Sequence, residues 1–399
     1  MTWCRATGVA IAIAIAGLPV DPAIGFERIG YVSQWSLAAR PGLLEDLPIE
    51  RLTHVIYAFG RVEADGTAAL ADPCRETGAC DDTDPSGRIA GGSTFAALKA
   101  MKARHPHLKL LIAFGGWNGS EHFSTLARTA ESRARFAKSV MTTFFEPHPG
   151  LFDGIDIDWE YPVVGGLSPG QPTDRENLAL LLQALRTDLD RSSGSGPRFA
   201  LSVAVAAAPD MIATAYPASL AERVDRVQVM TYDYHAGERL THFNAPLASI
   251  ERDPTPDANL SASMAAWVVF GIPREKLVIG LPFYGRALSG VSGEGDGLLR
   301  PGNPAGSAQW SGDGIAYRDL VARRSGANFA HFRHAEAGVP YLYDESDGIW
   351  ISYDDACSIA EKIQFAQAQG FAGAMAWELG HDDGALLAAM TDEADVDCP

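Results

Sequence analysis

The 399-residue sequence has five cysteines, and none falls in a C-x-x-C pair or at the spacing from a histidine that a structural zinc site uses. A zinc module is therefore not expected. Bases are also scarce: 32 Lys and Arg stand against 50 Asp and Glu, a formal charge of −18 spread along the chain. That balance argues against nucleic acid and against anionic membranes as partners. Beyond residue 25 there is no apolar run long enough to span a bilayer. Internal repeats and low-complexity segments are missing, and Gly115-Gly116 lacks the G-x-G-x-x-G spacing of a dinucleotide fingerprint. What is present, 47% hydrophobic and 21% charged residues, suits a large core in one big domain or two smaller ones.

Residues 1–25 place Arg5 ahead of the apolar run Gly8 to Leu18, followed by Pro19 and small residues, which is the shape of a secretory signal peptide. The mature protein is accordingly expected outside the cell. Cys4 lies in that leader, leaving Cys74, Cys80, Cys357 and Cys398, an even number that favours disulfides in an exported chain. The expected pairs are Cys74 with Cys80 and Cys357 with Cys398. Asp72, Asp81, Asp82 and Asp84 lack the spacing of a calcium loop and read as a solvated loop.

Eight short runs rich in Val, Ile, Leu and Phe alternate with helical patterns: residues 28–33, 52–59, 108–114, 152–158, 199–206, 226–232, 277–283 and 370–377. The clearest helices between them are expected at 95–103, 132–145, 176–191, 258–270 and 354–369. Eight near-continuous apolar strands with intervening helices predict an α/β fold, a (β/α)8 TIM barrel. A doubly wound open sheet is the competing reading. About seventy residues separate the seventh strand from the last helix, too many for a structureless loop, so a small α+β insertion domain is expected there. The resulting division is a barrel over 26–286 and 344–396 and an insertion over 287–343, with nothing expected after the helix that follows the eighth strand.

The chemistry concentrates in Phe152-Asp153-Gly154-Ile155-Asp156-Ile157-Asp158-Trp159-Glu160-Tyr161-Pro162. On a strand alternate side chains share a face, so Asp156, Asp158 and Glu160 point one way and Asp153 the other. Such carboxylates stand about 6–7 Å apart. Like charges that close push pKa values apart, and a carboxyl that keeps its proton near neutrality can act as a general acid. A metal site is the weaker alternative, because no histidine joins the run and Trp159 and Tyr161 suit a sugar better.

This segment closely resembles the D-x-x-D-x-D-x-E signature of glycoside hydrolase family 18, the chitinases. Further blocks resemble the family at the ends of other strands: Ala113 to Trp117, Met230-Thr231-Tyr232-Asp233, Phe283 to Arg286, and Trp377-Glu378. The resemblance covers nearly all of the mature chain, and the insertion resembles that of the subgroup in which it walls a deep cleft. One position departs from the pattern. The family commonly carries S-x-G-G in its third block, and Ala113 occupies the place of the serine whose hydroxyl would bond Asp156, so Tyr31 is expected to do that work alone.

The resemblance implies hydrolysis of β-1,4-linked N-acetylglucosamine in chitin or chitooligosaccharides, with retention and by substrate assistance, in which the 2-acetamido oxygen attacks the anomeric carbon. Glu160 is the implied acid and base. Asp158 would hold the acetamido N–H, Asp156 would share a proton with Asp158, and Tyr232 would donate to the acetamido group. Asp233 and Arg286 would line the same subsite. Trp377 is the implied floor under the sugar, Trp117 and Tyr161 would extend it, Phe59 and Tyr284 would pack nearby, and Met230 would fill space beneath the acids. Cis peptides are implied at Ala58-Phe59, Glu160-Tyr161 and Trp377-Glu378. No metal or organic cofactor is expected, and the protein is expected to be a monomer. A chitin-binding lectin and an endo-β-N-acetylglucosaminidase acting on other glycans are the competing functions.

Overall fold

The computed structural model describes residues 25–80, 92–307, 309–391 and 398. The expected leader and Asp81, Asp82 and Asp84 lie outside these residues. Eight parallel strands close on themselves: Glu27–Ser33, His54–Val62, Lys109–Gly115, Gly154–Asp158, Ala200–Ala206, Arg226–Met230, Leu277–Pro282 and Gly373–Trp377. Each pairs with its neighbour in chain order, and the eighth pairs with the first. Closure removes both sheet edges and decides for the barrel over the open sheet.

The strand alternation divides the apolar residues into two cores. Val55, Leu110, Ile112, Ile155, Ile157, Val203 and Leu281 point outward and pack under the helices. Ile29, Ile56, Leu111, Ala113, Ala204, Val278 and Met375 fill the interior. Both faces of each strand are covered, which is why the strands read as continuous apolar runs.

Several of the helices begin at side-chain caps. Asn259 accepts from Ala262 N ahead of Leu260–Phe270, and Asp355 with Ser358 forms a reciprocal box ahead of Ala356–Ala368. These groups satisfy amides that have no partner inside the helix. Residues 132–145, expected as one helix, are α-helical over Ala130–Val140 and then widen into a π-turn at Met141–Phe145. The turn packs Phe144 and Phe145 onto Phe152.

A second, antiparallel sheet follows the seventh barrel strand. Its order is Asn303–Pro304, Tyr284–Ser289, Ile349–Ser352, Val339–Asp344 and Ala330–His334, with Ile315–Ala316 against Tyr284 and Gly285. Helix Tyr317–Arg324 lies within this segment. The sheet has its own core of Leu288, Val291, Val339, Tyr341, Tyr343 and Trp350, joined by Phe243 from a barrel loop. Both expected disulfides are formed, Cys74–Cys80 and Cys357–Cys398. Among the described residues no helix is long and apolar enough to cross a membrane.

Candidate active site

A cleft of about 1650 Å³ opens over the C-terminal ends of the barrel strands. Eleven of the thirteen residues singled out from the sequence line it: Phe59, Trp117, Asp158, Glu160, Tyr161, Met230, Tyr232, Asp233, Tyr284, Arg286 and Trp377. The other two, Tyr31 and Asp156, lie buried beneath it. Tyr284, Arg286 and Asp313 carry the antiparallel sheet and its loops onto one wall.

The acids stand on the fourth strand, with Asp156 and Asp158 inward and Glu160 just past its end. Asp153, on the opposite side, pairs with Lys102 at 2.6 Å. Asp156 accepts three hydrogen bonds: from Tyr31 Oη at 2.7 Å, Ser202 Oγ at 2.6 Å and Gln228 Nε2 at 2.9 Å. Tyr31 is therefore not alone, and the structure corrects that expectation. Ser202 is in register with Asp156 on the neighbouring strand, and Gln228 lies one strand further on. A polar residue in an inward position was the only sequence signal for either.

Burial raises the Asp156 pKa above the ordinary range, and the three donors oppose it. Asp158 is pushed up much further by burial, then by the charges of Glu160 and Asp156. Its Oδ1 has no hydrogen-bond partner in the site. Glu160 is raised to about 7 by burial, which outweighs the downward pull of the Tyr161 side chain and is reinforced by Asp233. A carboxyl in that range holds or releases its proton near neutrality.

Glycines let the backbone close around these acids. A Cβ on Gly115, whose φ is +120°, would lie 2.0 Å from the Asp158 carbonyl oxygen. Gly116 N donates to that same oxygen at 2.8 Å. Ser120, which the sequence reading missed, donates to Gly116 O and accepts from Glu160 N at 2.9 Å. On the seventh strand, a Cβ on Gly280 would meet the Tyr232 ring at 2.8 Å. The bare glycine is what admits that ring.

Asp233 has a left-handed backbone, φ +63°, and is fixed from three sides. Tyr284 Oη and Arg286 Nε each donate to its Oδ1 at 2.6 Å, and its own N–H donates to Asn244 Oδ1. The aromatic floor is a cluster rather than one ring. Trp377 lies 5.5 Å from Tyr31, 5.7 Å from Phe59 and 6.2 Å from Trp35. Trp35 is half exposed in the cleft, and the sequence reading did not single it out. The buried Glu378 carboxylate holds it, accepting from Trp35 Nε1 as well as from Ser33 N and Ser36 Oγ. The peptides Ala58-Phe59, Glu160-Tyr161 and Trp377-Glu378 are cis.

Among the described residues, three potential metal ligands converge at Cys357, Glu361 and Cys398, but the two sulfurs are bonded to each other. They offer no thiolate to an ion.

Residues 27–382 match the family described as Glycosyl hydrolases family 18. Chitinase A1 of Niallia circulans is 32% identical over 93% of this chain, which spans 58% of that protein's length. Among solved structures, chitinase ChiA74 from Bacillus thuringiensis superposes with a TM-score of 0.81 at 28% identity, covering 92% of this chain and 69% of the other. A family 18 N-acetylglucosaminidase from Paenibacillus barengoltzii gives 0.76 at 30% identity, covering 92% and 99%. The chain belongs to glycosyl hydrolase family 18.

Proposed function

We propose that this protein is a chitinase that hydrolyses β-1,4 linkages between N-acetylglucosamine units with retention of configuration. The observation that carries this reading is Glu160, poised near neutrality by burial at the floor of an aromatic-lined cleft, beside a second acid that has an unsatisfied oxygen. Glu160 protonates the glycosidic oxygen. The acetamido oxygen of the sugar then attacks the anomeric carbon, and the leaving chain departs with the Glu160 proton.

Asp158 accepts the acetamido N–H on its free oxygen, and the single negative charge of the Asp156–Asp158 pair offsets the positive charge of the oxazolinium ion. Tyr232 donates to the acetamido oxygen. Glu160, now ionised, takes a proton from water as the water opens the oxazolinium, and the product leaves as the β-anomer. Trp377 covers a sugar face with apolar area, while Asp233 and Arg286 meet the hydroxyls. The leader-like pattern of residues 1–25 and the two disulfides support reading the protein as secreted, and we read it as a monomer.

A time course on the N-acetylglucosamine hexamer, resolving product length and anomer, tests this with Glu160→Gln beside the wild type. Short β-anomeric products and a loss on the order of 10² or more in the variant are expected. Release of single sugars alone would instead favour an N-acetylglucosaminidase, the activity named for the similar Paenibacillus barengoltzii enzyme. Binding without cleavage would make the protein a lectin.

A further inference from the structure

The interior layer around Asp156 is polar on one side only. On the third strand its in-register neighbour is Ala113, which is itself in register with Ala58 on the second. That flank offers methyl groups. On the other side stand Ser202 and, one strand further, Gln228, both buried, and both donate to the same carboxylate oxygen, Oδ1. Gln228 Nε2 also reaches Ser202 Oγ at 3.3 Å, so the pair forms a small network. Tyr31 serves Oδ2 from the first strand. Asp158, two residues on and also inward, receives none of these donors.

The geometry points to Ser202 and Gln228 as positioning residues that replace the hydroxyl missing at Ala113, keep Asp156 ionised and thereby hold the buried pair's proton on Asp158, beside Glu160. This rests on the chitinase reading above. An ionised carboxylate takes donated hydrogen bonds better than a neutral one, so donors crowded on one member of a coupled pair assign the charge to that member. The proton then lies on the member nearer the reacting sugar. The remaining ionisable groups facing the pair are Tyr31, Tyr161, Tyr216, Tyr232 and Glu160, and every one of those tyrosines is pushed further toward its neutral form. Among the described residues no cation is a cause of the shift of either acid.

Loss of a donor to ionised Asp156 raises the pH at which the pair becomes fully neutral and can no longer offset the oxazolinium charge. The acid limb of kcat must therefore move upward. A hydrogen bond to a charged group is worth about one pH unit. The experiment is the pH profile of kcat and KM on the hexamer for wild type, Ser202→Ala, and Ser202→Ala combined with Ala113→Ser, with circular dichroism on each.

Ser202→Ala is expected to shift the acid limb of kcat up by about one pH unit with KM little changed, and returning a hydroxyl on the other flank through Ala113→Ser is expected to move it back. A merely structural serine would lower kcat equally at every pH. If Ser202→Ala does not fold, Gln228→Met removes the other donor to the same oxygen and carries the same test. An active wild type whose acid limb is unmoved in the folded variant overturns this assignment alone. A wild type that leaves the hexamer intact overturns the chitinase reading and this inference with it.

Discussion

Replacing Glu160 with Gln should make the protein more stable above neutral pH while removing its activity. The side chain is half-buried, and its pKa rises from an ordinary 4.5 to about 7, with burial as the main cause. The fold therefore favours the protonated form, and that advantage is complete below pH 4.5 and lost as pH rises through about 7. At about 1.4 kcal/mol per pH unit, holding the ionised form costs the wild type up to roughly 3 kcal/mol at pH 8. This is a ceiling, because the cleft side of the carboxyl stays wet. Gln carries no charge and bears none of the cost. A chain of this length loses about 0.8 kcal/mol per kelvin at its midpoint, so the ceiling corresponds to a rise of about 4 °C in Tm. Thermal unfolding followed at pH 4.5 and at pH 8 is the assay. The two proteins should coincide at the lower pH and separate at the higher, with Gln the more stable. Equal Tm values at pH 8, or a gap that is widest at pH 4.5, would refute the argument that burial of this acid is what poises it.

Asp233→Asn removes a charge that raises Glu160, so the alkaline limb of kcat/KM should move to lower pH; an upward shift would contradict the electrostatic assignment. Trp35→Ala should lower kcat/KM on the hexamer about tenfold, or ~1.4 kcal/mol, and leave the shortest cleaved oligomer nearly unaffected. Equal losses on both would mean the ring only braces Trp377. Asp174, fully buried, ties the loop after Glu160 to its flank by accepting from Ser124 Oγ and Gln171 N. Asp174→Ala leaves both donors unpaired and should cost about 1–3 kcal/mol in urea unfolding. Lys362→Met strands the buried Asp354, its partner at 2.5 Å, and should cost about 3–5 kcal/mol, much of which Asp354→Leu in the same chain should recover.

The barrel was legible because its physical causes are local. A strand buried on both faces must be apolar at nearly every position, and the run Leu110 to Phe114 reads that way without knowledge of its neighbours. Helix Tyr317–Arg324 and strand Val339–Asp344 lie in the interval where an α+β insertion was expected. Strand ends were less certain. Phe152 reads as strand, yet the strand runs from Gly154, where a Cβ would meet the Ala200 carbonyl oxygen at 2.4 Å, and the backbone of Asp153 makes the first bonds to its neighbours.

Much of the candidate site was legible for the same reason. Asp156, Asp158 and Glu160 share a face by strand alternation alone, and the aromatic and polar residues at strand ends gather at one end of any parallel barrel. Ser202, Gln228, Ser120, Trp35 and Glu378 were not. Each acts through a partner between 38 and 345 residues away in sequence: Ser202 and Gln228 on Asp156, Ser120 on the backbone around Glu160, and Glu378 on Trp35 and Ser33. A serine in an apolar strand carries no mark of what it will face.

Short-range alternation and backbone sterics are enough to give the eight barrel strands, the main helices between them, the face on which the acids lie and the end of the barrel where chemistry collects. Which donors reach Asp156, what leaves Asp158 Oδ1 unsatisfied and what lifts Glu160 to about 7 are set by packing across the closed barrel. Those properties depend on strand register and on the exclusion of water by groups far apart in the chain, and neither exists until the barrel has closed.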